Sequence, residues 1–220
     1  IWVQCTAFAK ISGFRCKDVL DNGPHSVTGF SYGAYPYGMN YGLVVEDVVT
    51  RNGRHSIYTT GGNESGTSAW YKYGYPTKNI IRNCVSYNSY AAPFDTHEQG
   101  SDIVFMDCYA YNTISDNSGT STTLGKGFSS RAFRDTFINC HAIGCSKGML
   151  VVDVDHGDEN LIKFIACTVS DTFNGFNGAY SFDFANHSAA DELIVEMINC
   201  SIYSCDRGIQ VGNNVKLRFN

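Results

Sequence analysis

No stretch of the sequence approaches the run of ~20 apolar residues that a membrane-spanning helix needs, which argues against a membrane partner. A basic stripe is also missing. The 16 lysines and arginines are scattered among 21 aspartates and glutamates, for a formal charge of −5, whereas nucleic-acid binding needs clustered cations to meet the phosphates. Long helical apolar periodicity is absent, so helices should be few. No Pro/Ser-rich or charge-run linker divides the 220 residues, and a single domain spanning 1–220 is expected. The start, "IWVQCTAFAK", shows neither an initiator methionine nor a signal-peptide pattern, and the chain reads as a piece of something longer. The nine cysteines include no C-x-x-C pair, so zinc is not expected, and nothing else calls for a cofactor.

What is present suits pleated strands and tight corners: 22 Gly, 14 Tyr and 14 Phe among many Val, Ile and Thr. The cysteines then organise the chain. "SGFRC" ends at Cys16, "IIRNC" at Cys84, "VFMDC" at Cys108, "TFINC" at Cys140, "KFIAC" at Cys167 and "EMINC" at Cys200, with Val48 of "LVVEDV" in the same place. The spacing is roughly 24 to 36 residues, which is the range of solenoid repeats. Three positions earlier stands a large apolar residue: Val45, Ile81, Phe105, Phe137, Phe164 or Met197. One position earlier, most repeats carry Asp47, Asn83, Asp107, Asn139 or Asn199, short polar residues that tolerate left-handed backbone at a corner. The expected fold is all-β, a right-handed parallel β-helix of about seven rungs. Stacked ~4.8 Å apart, Cys84, Cys108, Cys140 and Cys167 form an interior ladder of small apolar side chains, and the odd cysteine count disfavours a disulfide framework. Reduced core thiols imply assembly in a reducing cytoplasm, even for a protein that later works outside cells.

In this register a second strand aligns after each ladder position: "SIYTTG", "PFDTHE", "GFSSRA", "GMLVVD" and "GIQVGN". Ile57, Phe94, Phe128, Met149 and Ile209 become an inward row. Alternation turns Tyr58, Asp95, Ser129 and Leu150 outward in one column, and Thr60, His97, Arg131 and Val152 outward in the next. Tyr58, Asp95, His97 and Arg131 then share one outer face within roughly 10 Å, and they are the candidate catalytic group. His55, Glu98 and Lys126 border them as candidate substrate contacts. The plainer alternative is a surface ion pair between Asp95 and Arg131, contributing ~0–1 kcal/mol. Asp153, Asp155 and His156 in "VVDVDHGDEN" resemble a metal or acid cluster but fit a polar strand end equally well, so no metal site is assigned.

Insertions between rungs carry aromatics. "GGNESGTSAWYKYGYP" holds Trp70, Tyr71, Tyr73 and Tyr75, and "TGFSYGAYPYGMNYG" holds Tyr32, Tyr35, Tyr37 and Tyr41. Such rings on loops can stack on the apolar faces of sugars, and Trp70 and Tyr73 are the candidate stacking residues.

"FDTHEQGSDIVFMDCYAYN" followed by "GKGFSSRA" resembles the "YGFDPHE" motif and later "GFVADY" stretch of bacterial mannuronan C5-epimerases. That resemblance implies a right-handed parallel β-helix acting on uronate polymers. In the family, the motif's Asp, His and first Tyr, with a later Asp, remove and return the C5 proton. Asp95 and His97 match, whereas the family Tyr falls on Ala92 and its later Asp on Arg131. Tyr58, one rung earlier, and Arg131 are the residues available for the phenol and for holding a carboxylate. The Asn-Cys rungs, Gly-rich corners and aromatic loops are also similar in style to the β-helical tailspike depolymerases of bacteriophages. That likeness implies a homotrimer in an extracellular or virion-associated setting.

A lyase or epimerase must neutralise a uronate carboxylate, abstract the C5 proton and, for cleavage, protonate the leaving oxygen. Arg131 suits the first task as a permanent fork-shaped donor. His97 or Tyr58 suits proton transfer, with Asp95 orienting the imidazole. A hydrolase would instead pair carboxyls such as Asp95 and Glu98, which alternation sends to opposite sides. The third class is a β-helix that binds glycan without cleaving it or only builds a fibre.

Overall fold

A computed structural model of the protein describes residues 2–4, 8–17, 32–37, 41–53, 55–59, 78–89, 92–96, 101–113, 125–153, 160–172, 182–186 and 192–220. In 2–4, 16–17, 32–37, 55–59, 153 and 185–186 the description covers the backbone alone. The architecture is a parallel β-helix. Among the described residues, twenty-three short strands, β1 to β23 in chain order, fall into three parallel sheets of eight, eight and seven, and each strand pairs with the one three places on. Sheet I contains β7 (His55–Thr59), β10 (Phe94–Thr96), β13 (Lys126–Ser130), β16 (Lys147–Asp153), β19 (Phe182–Asn186) and β22 (Ile209–Val211). Sheet II contains β8 (Ile80–Arg82), β11 (Val104–Met106), β14 (Thr136–Ile138), β17 (Asn160–Ile165), β20 (Leu193–Ile198) and β23 (Val215–Phe219). Sheet III contains β9 (Val85–Tyr87), β12 (Tyr109–Tyr111), β15 (His141–Ile143) and β18 (Thr168–Ser170).

Inside the coil, like residues stack on like. Ile81, Phe105, Phe137, Phe164 and Met197 stand in one register across sheet II. The rings of Phe105 and Phe137 lie 5.0 Å apart and nearly parallel, and those of Phe137 and Phe164 lie 4.9 Å apart. From sheet I, Phe94 and Phe128 stack at 4.9 Å and meet the sheet II column edge-on. This offset and T-shaped packing adds to area burial across the middle rungs, where Phe105, Phe137 and Phe164 follow one another.

The corner after sheet II is set by the residue before each cysteine. Asp47, Asn83, Asp107, Asn139 and Asn199 all have φ between 49° and 57°, the left-handed region that short polar side chains tolerate. Their amides also form a ladder: Asn139 Nδ2 donates to Asp107 Oδ1 at 2.7 Å, and Asn83 Nδ2 to Asp47 Oδ1 at 3.0 Å. Cys84, Cys108, Cys140 and Cys167 follow as free, buried thiols, and Sγ of Cys167 donates to the Phe137 carbonyl one rung back at 3.4 Å. Burial pushes the Cys140 and Cys145 thiols up, so they are poor nucleophiles. Ala166 breaks the corner pattern, with φ 53° and neither a glycine's freedom nor an amide. Replacing Ala166 by Asn should raise stability by about 1 kcal/mol in urea denaturation; a lower midpoint would contradict the corner account.

Three readings of the sequence need correction. Cys16 is not a ladder residue: it pairs with Thr50 and so stands level with Ser86, and Phe14 takes the place that Val48 and Cys84 hold in the next rungs. The "TGFSYGAYPYGMNYG" segment is not wholly an insertion: Tyr32–Tyr37 forms strand β4, paired with β7, as the β propensity of alternating aromatics favours. Tyr41, the fourth tyrosine, contacts Phe8 edge-on at 5.4 Å. The outward column of sheet I is not a solvated face either. Asp95, Ser129, Leu150 and Asp183 are in register and at most 8% exposed.

Candidate functional site

Alternation within β10 sends Phe94 into the core, Asp95 to the outer side and Thr96 back to the interior. Asp95 stands level with Tyr58 of β7 and Ser129 of β13. Its side chain is 1% exposed, and Oδ2 lies 2.9 Å from Nη2 of Arg131, whose side chain is 26% exposed. Arg131 directly follows β13 and is anchored by its backbone N–H donating to the Thr96 carbonyl at 3.0 Å. The pair is therefore a mostly buried ion pair rather than the surface pair considered from the sequence.

Lys126 opens the same strand and pairs in register with Lys147 of β16. Burial pushes its ammonium down to about 8, Asp95 and Asp183 oppose that shift, and Arg131 and Lys147 add to it. Lys147 itself is 2.5 Å from Asp183, and both side chains are mostly covered. Gly127 makes the close approach of this strand possible. A Cβ there would lie 2.6 Å from Cβ of Ala142 and 2.8 Å from the Gly148 carbonyl oxygen.

On the interior side of the same strand ends lies Asp135, which is fully buried. Its Oδ2 accepts from Oγ1 of Thr96 at 2.6 Å and Oγ of Ser130 at 2.8 Å, and Oδ1 accepts from N of Ile103 at 3.3 Å. Burial outweighs these donors and pushes the carboxyl up to about 7. An acid with a raised folded-state pKa binds more protons folded than unfolded between about 4 and 7, so its contribution makes stability fall as pH rises through that window. Asp135→Asn should flatten this part of the stability profile, measured by denaturation from pH 4 to 8. An unchanged slope would contradict the raised carboxyl.

Of the residues singled out from the sequence, Asp95 and Arg131 come together here, and Lys126, at the start of the strand that Arg131 follows, feels the charge of both. Tyr58 and His55 lie in β7, Tyr58 level with Asp95 and His55 level with Tyr32, and their side chains are outside the description. His97, Glu98, Trp70, Tyr73, Asp155 and His156 lie outside the described residues, and the backbone of Asp153 pairs with Asn186. Lys147, Asp183 and Asp135 were not found by sequence reasoning. Asp183 had a signal: "SFDFAN" repeats the Phe-Asp of "PFDTHE", and Phe182 does take the inward place level with Met149. Asp95 and Asp183 share a column but stand three rungs apart, about 14 Å, beyond the ~5–9.5 Å of paired glycosidase carboxyls. Among the described residues no three His, Cys, Asp or Glu side chains converge as a metal site would require, and no helix is long and apolar enough to cross a membrane.

No protein-family model matches the chain.

Proposed function

We propose that the outer side of sheet I is catalytic where it opens to solvent at Arg131, whose side chain stays 26% exposed beside the buried Asp95, in an enzyme that abstracts a proton from an acidic polysaccharide, as a lyase or an epimerase-like enzyme. The observation that carries this reading is the Asp95–Arg131 pair, 2.9 Å apart, at the end of the strand that Lys126 opens, with burial pushing the Lys126 ammonium down to about 8. A general base works best when its pKa lies near the working pH, and a uronate C5–H becomes acidic once its carboxylate is neutralised.

In this mechanism Arg131, oriented by Asp95, receives the uronate carboxylate. The neutral amine of Lys126 takes the C5 proton, and the electron pair moves toward the carboxylate as an enolate. For a lyase, that pair then forms the C4–C5 double bond, the C4–O bond breaks, and the leaving oxygen takes a proton. Tyr58 or His97 is the candidate donor from the sequence reading. For an epimerase, the proton returns to the opposite face of C5. Either way turnover rises with pH as Lys126 deprotonates. The resemblance to tailspike depolymerases supports a bacterial surface polymer as the substrate and a virion-associated setting.

Incubation with a panel of acidic and neutral polysaccharides tests the reading. New absorbance from unsaturated uronate ends supports a lyase, and an altered uronate composition without cleavage supports an epimerase. Reducing ends without unsaturation would point to a hydrolase, and binding without product to a glycan-binding or fibre module; either would overturn the proposal.

A further inference from the structure

The ion pair on the outer side of sheet I and the buried carboxyl on the inner side share the same two strand ends. Asp95 is followed by Thr96, and Arg131 is preceded by Ser130. Alternation sends Asp95 outward and Thr96 inward, and Ser130 turns inward immediately before Arg131. Both inward hydroxyls donate to one atom, Oδ2 of Asp135, at 2.6 and 2.8 Å. Oδ1 of the same carboxyl is held by the Ile103 N–H, which belongs to the next side of the coil. A further tie joins the strand ends directly, since the Arg131 N–H reaches both the carbonyl and Oγ1 of Thr96, at 3.0 and 3.4 Å.

A fully buried carboxyl is costly, and an amide would meet the Ile103 N–H equally well: Asn79 makes the corresponding contact with the Leu43 N–H, two rungs earlier. What a carboxylate adds is an oxygen that accepts two hydroxyls at once, which an amide nitrogen cannot do. The extra bonds lead to the two residues that flank the ion pair.

We propose that Asp135 is a positioning residue for the candidate catalytic face, fixing the separation of Asp95 and Arg131 from inside the coil by clamping Thr96 and Ser130. This inference rests on the reading of sheet I as the catalytic face only for its functional meaning. The clamp itself is a structural claim with its own readout. Lys126 opens the strand that Ser130 closes and senses the pair through space, and its low pKa depends on its own burial. Loosening the strand ends admits water and lets the Lys126 ammonium titrate higher.

The test follows the Lys126 side chain by NMR in protein labelled with 13C-lysine, through a pH titration of wild type, Asp135→Asn, Thr96→Val and Thr113→Val. Thr96→Val keeps the shape and removes one hydroxyl, which gives a readout even where Asp135→Asn folds poorly. Thr113 is buried at a different corner, after sheet III, and its hydroxyl does not reach Asp135, so Thr113→Val controls for the chemical change alone. The expected result is an upward shift of the Lys126 midpoint by about half a pH unit or more in Thr96→Val and in any folded Asp135→Asn, with no shift in Thr113→Val. An unmoved Lys126 in Thr96→Val, or an equal shift in the control, overturns the clamp whether or not the protein turns over any polymer. Shifted Lys126 values in a protein inactive on every polymer would leave the clamp standing and remove the catalytic reading alone.

Discussion

Phe105→Ala is expected to lower the free energy of unfolding by about 3–5 kcal/mol, the scale of a large-to-small change in a closed core. Phe105 has no exposed surface and lies at the centre of the aromatic stack, parallel to Phe137 at 5.0 Å and edge-on to Phe94 at 6.2 Å and Phe128 at 6.4 Å. Its neighbours are held by parallel strands on both sides, so they cannot close over the gap. Phe219 provides the internal comparison. It ends the same sheet II column, level with Met197, but is 64% exposed, and Phe219→Ala should cost far less. Urea denaturation of the two variants measures the difference, and equal losses would contradict the stacked-core account.

Arg131→Ala should lower turnover of an acidic polysaccharide by at least ~10²-fold, the scale of losing a charge-stabilising group. It should also destabilise the protein, because it deprives a carboxylate that is 1% exposed of its guanidinium; breaking such buried pairs costs about 3 kcal/mol. From the sequence alone, an Asp95–Arg131 pair on the surface would contribute only ~0–1 kcal/mol. Burial of the column changes that expectation. The double variant Asp95→Asn/Arg131→Met removes both charges and should recover most of the stability while leaving turnover low. Recovery of both together would mean that the pair serves only the scaffold.

The repeat was legible because stacking forces equivalence. A corner that needs a left-handed residue calls for Asn or Asp, and an interior site at a fixed place calls for Cys or Phe, so Asn139-Cys140 and Phe105 announce their positions in the one-letter code. Sheet III was less visible. Its strands, such as "VSY", "YAY" and "HAI", are three residues long with small inward residues Ser86, Ala110 and Ala142, and they carry no repeated apolar marker. The outer side of sheet I was legible as a register, since Asp95 stands level with Tyr58 and Ser129, but its burial was not. Burial there depends on what covers the strand, which alternation cannot report. Asp135 was missed for the related reason that a carboxyl just before a strand reads as a surface residue until its hydroxyl partners are located in space.

The most direct test of the proposed chemistry is to run the reaction in deuterium oxide with an acidic polysaccharide that the protein acts on. NMR of the polymer and its products then follows C5, comparing wild type with Lys126→Met. Proton abstraction by Lys126 predicts either unsaturated ends, with the C5 hydrogen lost, or deuterium at C5 of recovered uronates, and neither in the Lys126→Met protein. Chain cleavage that leaves every C5 hydrogen in place, or full C5 exchange in the Lys126→Met variant, would contradict the account.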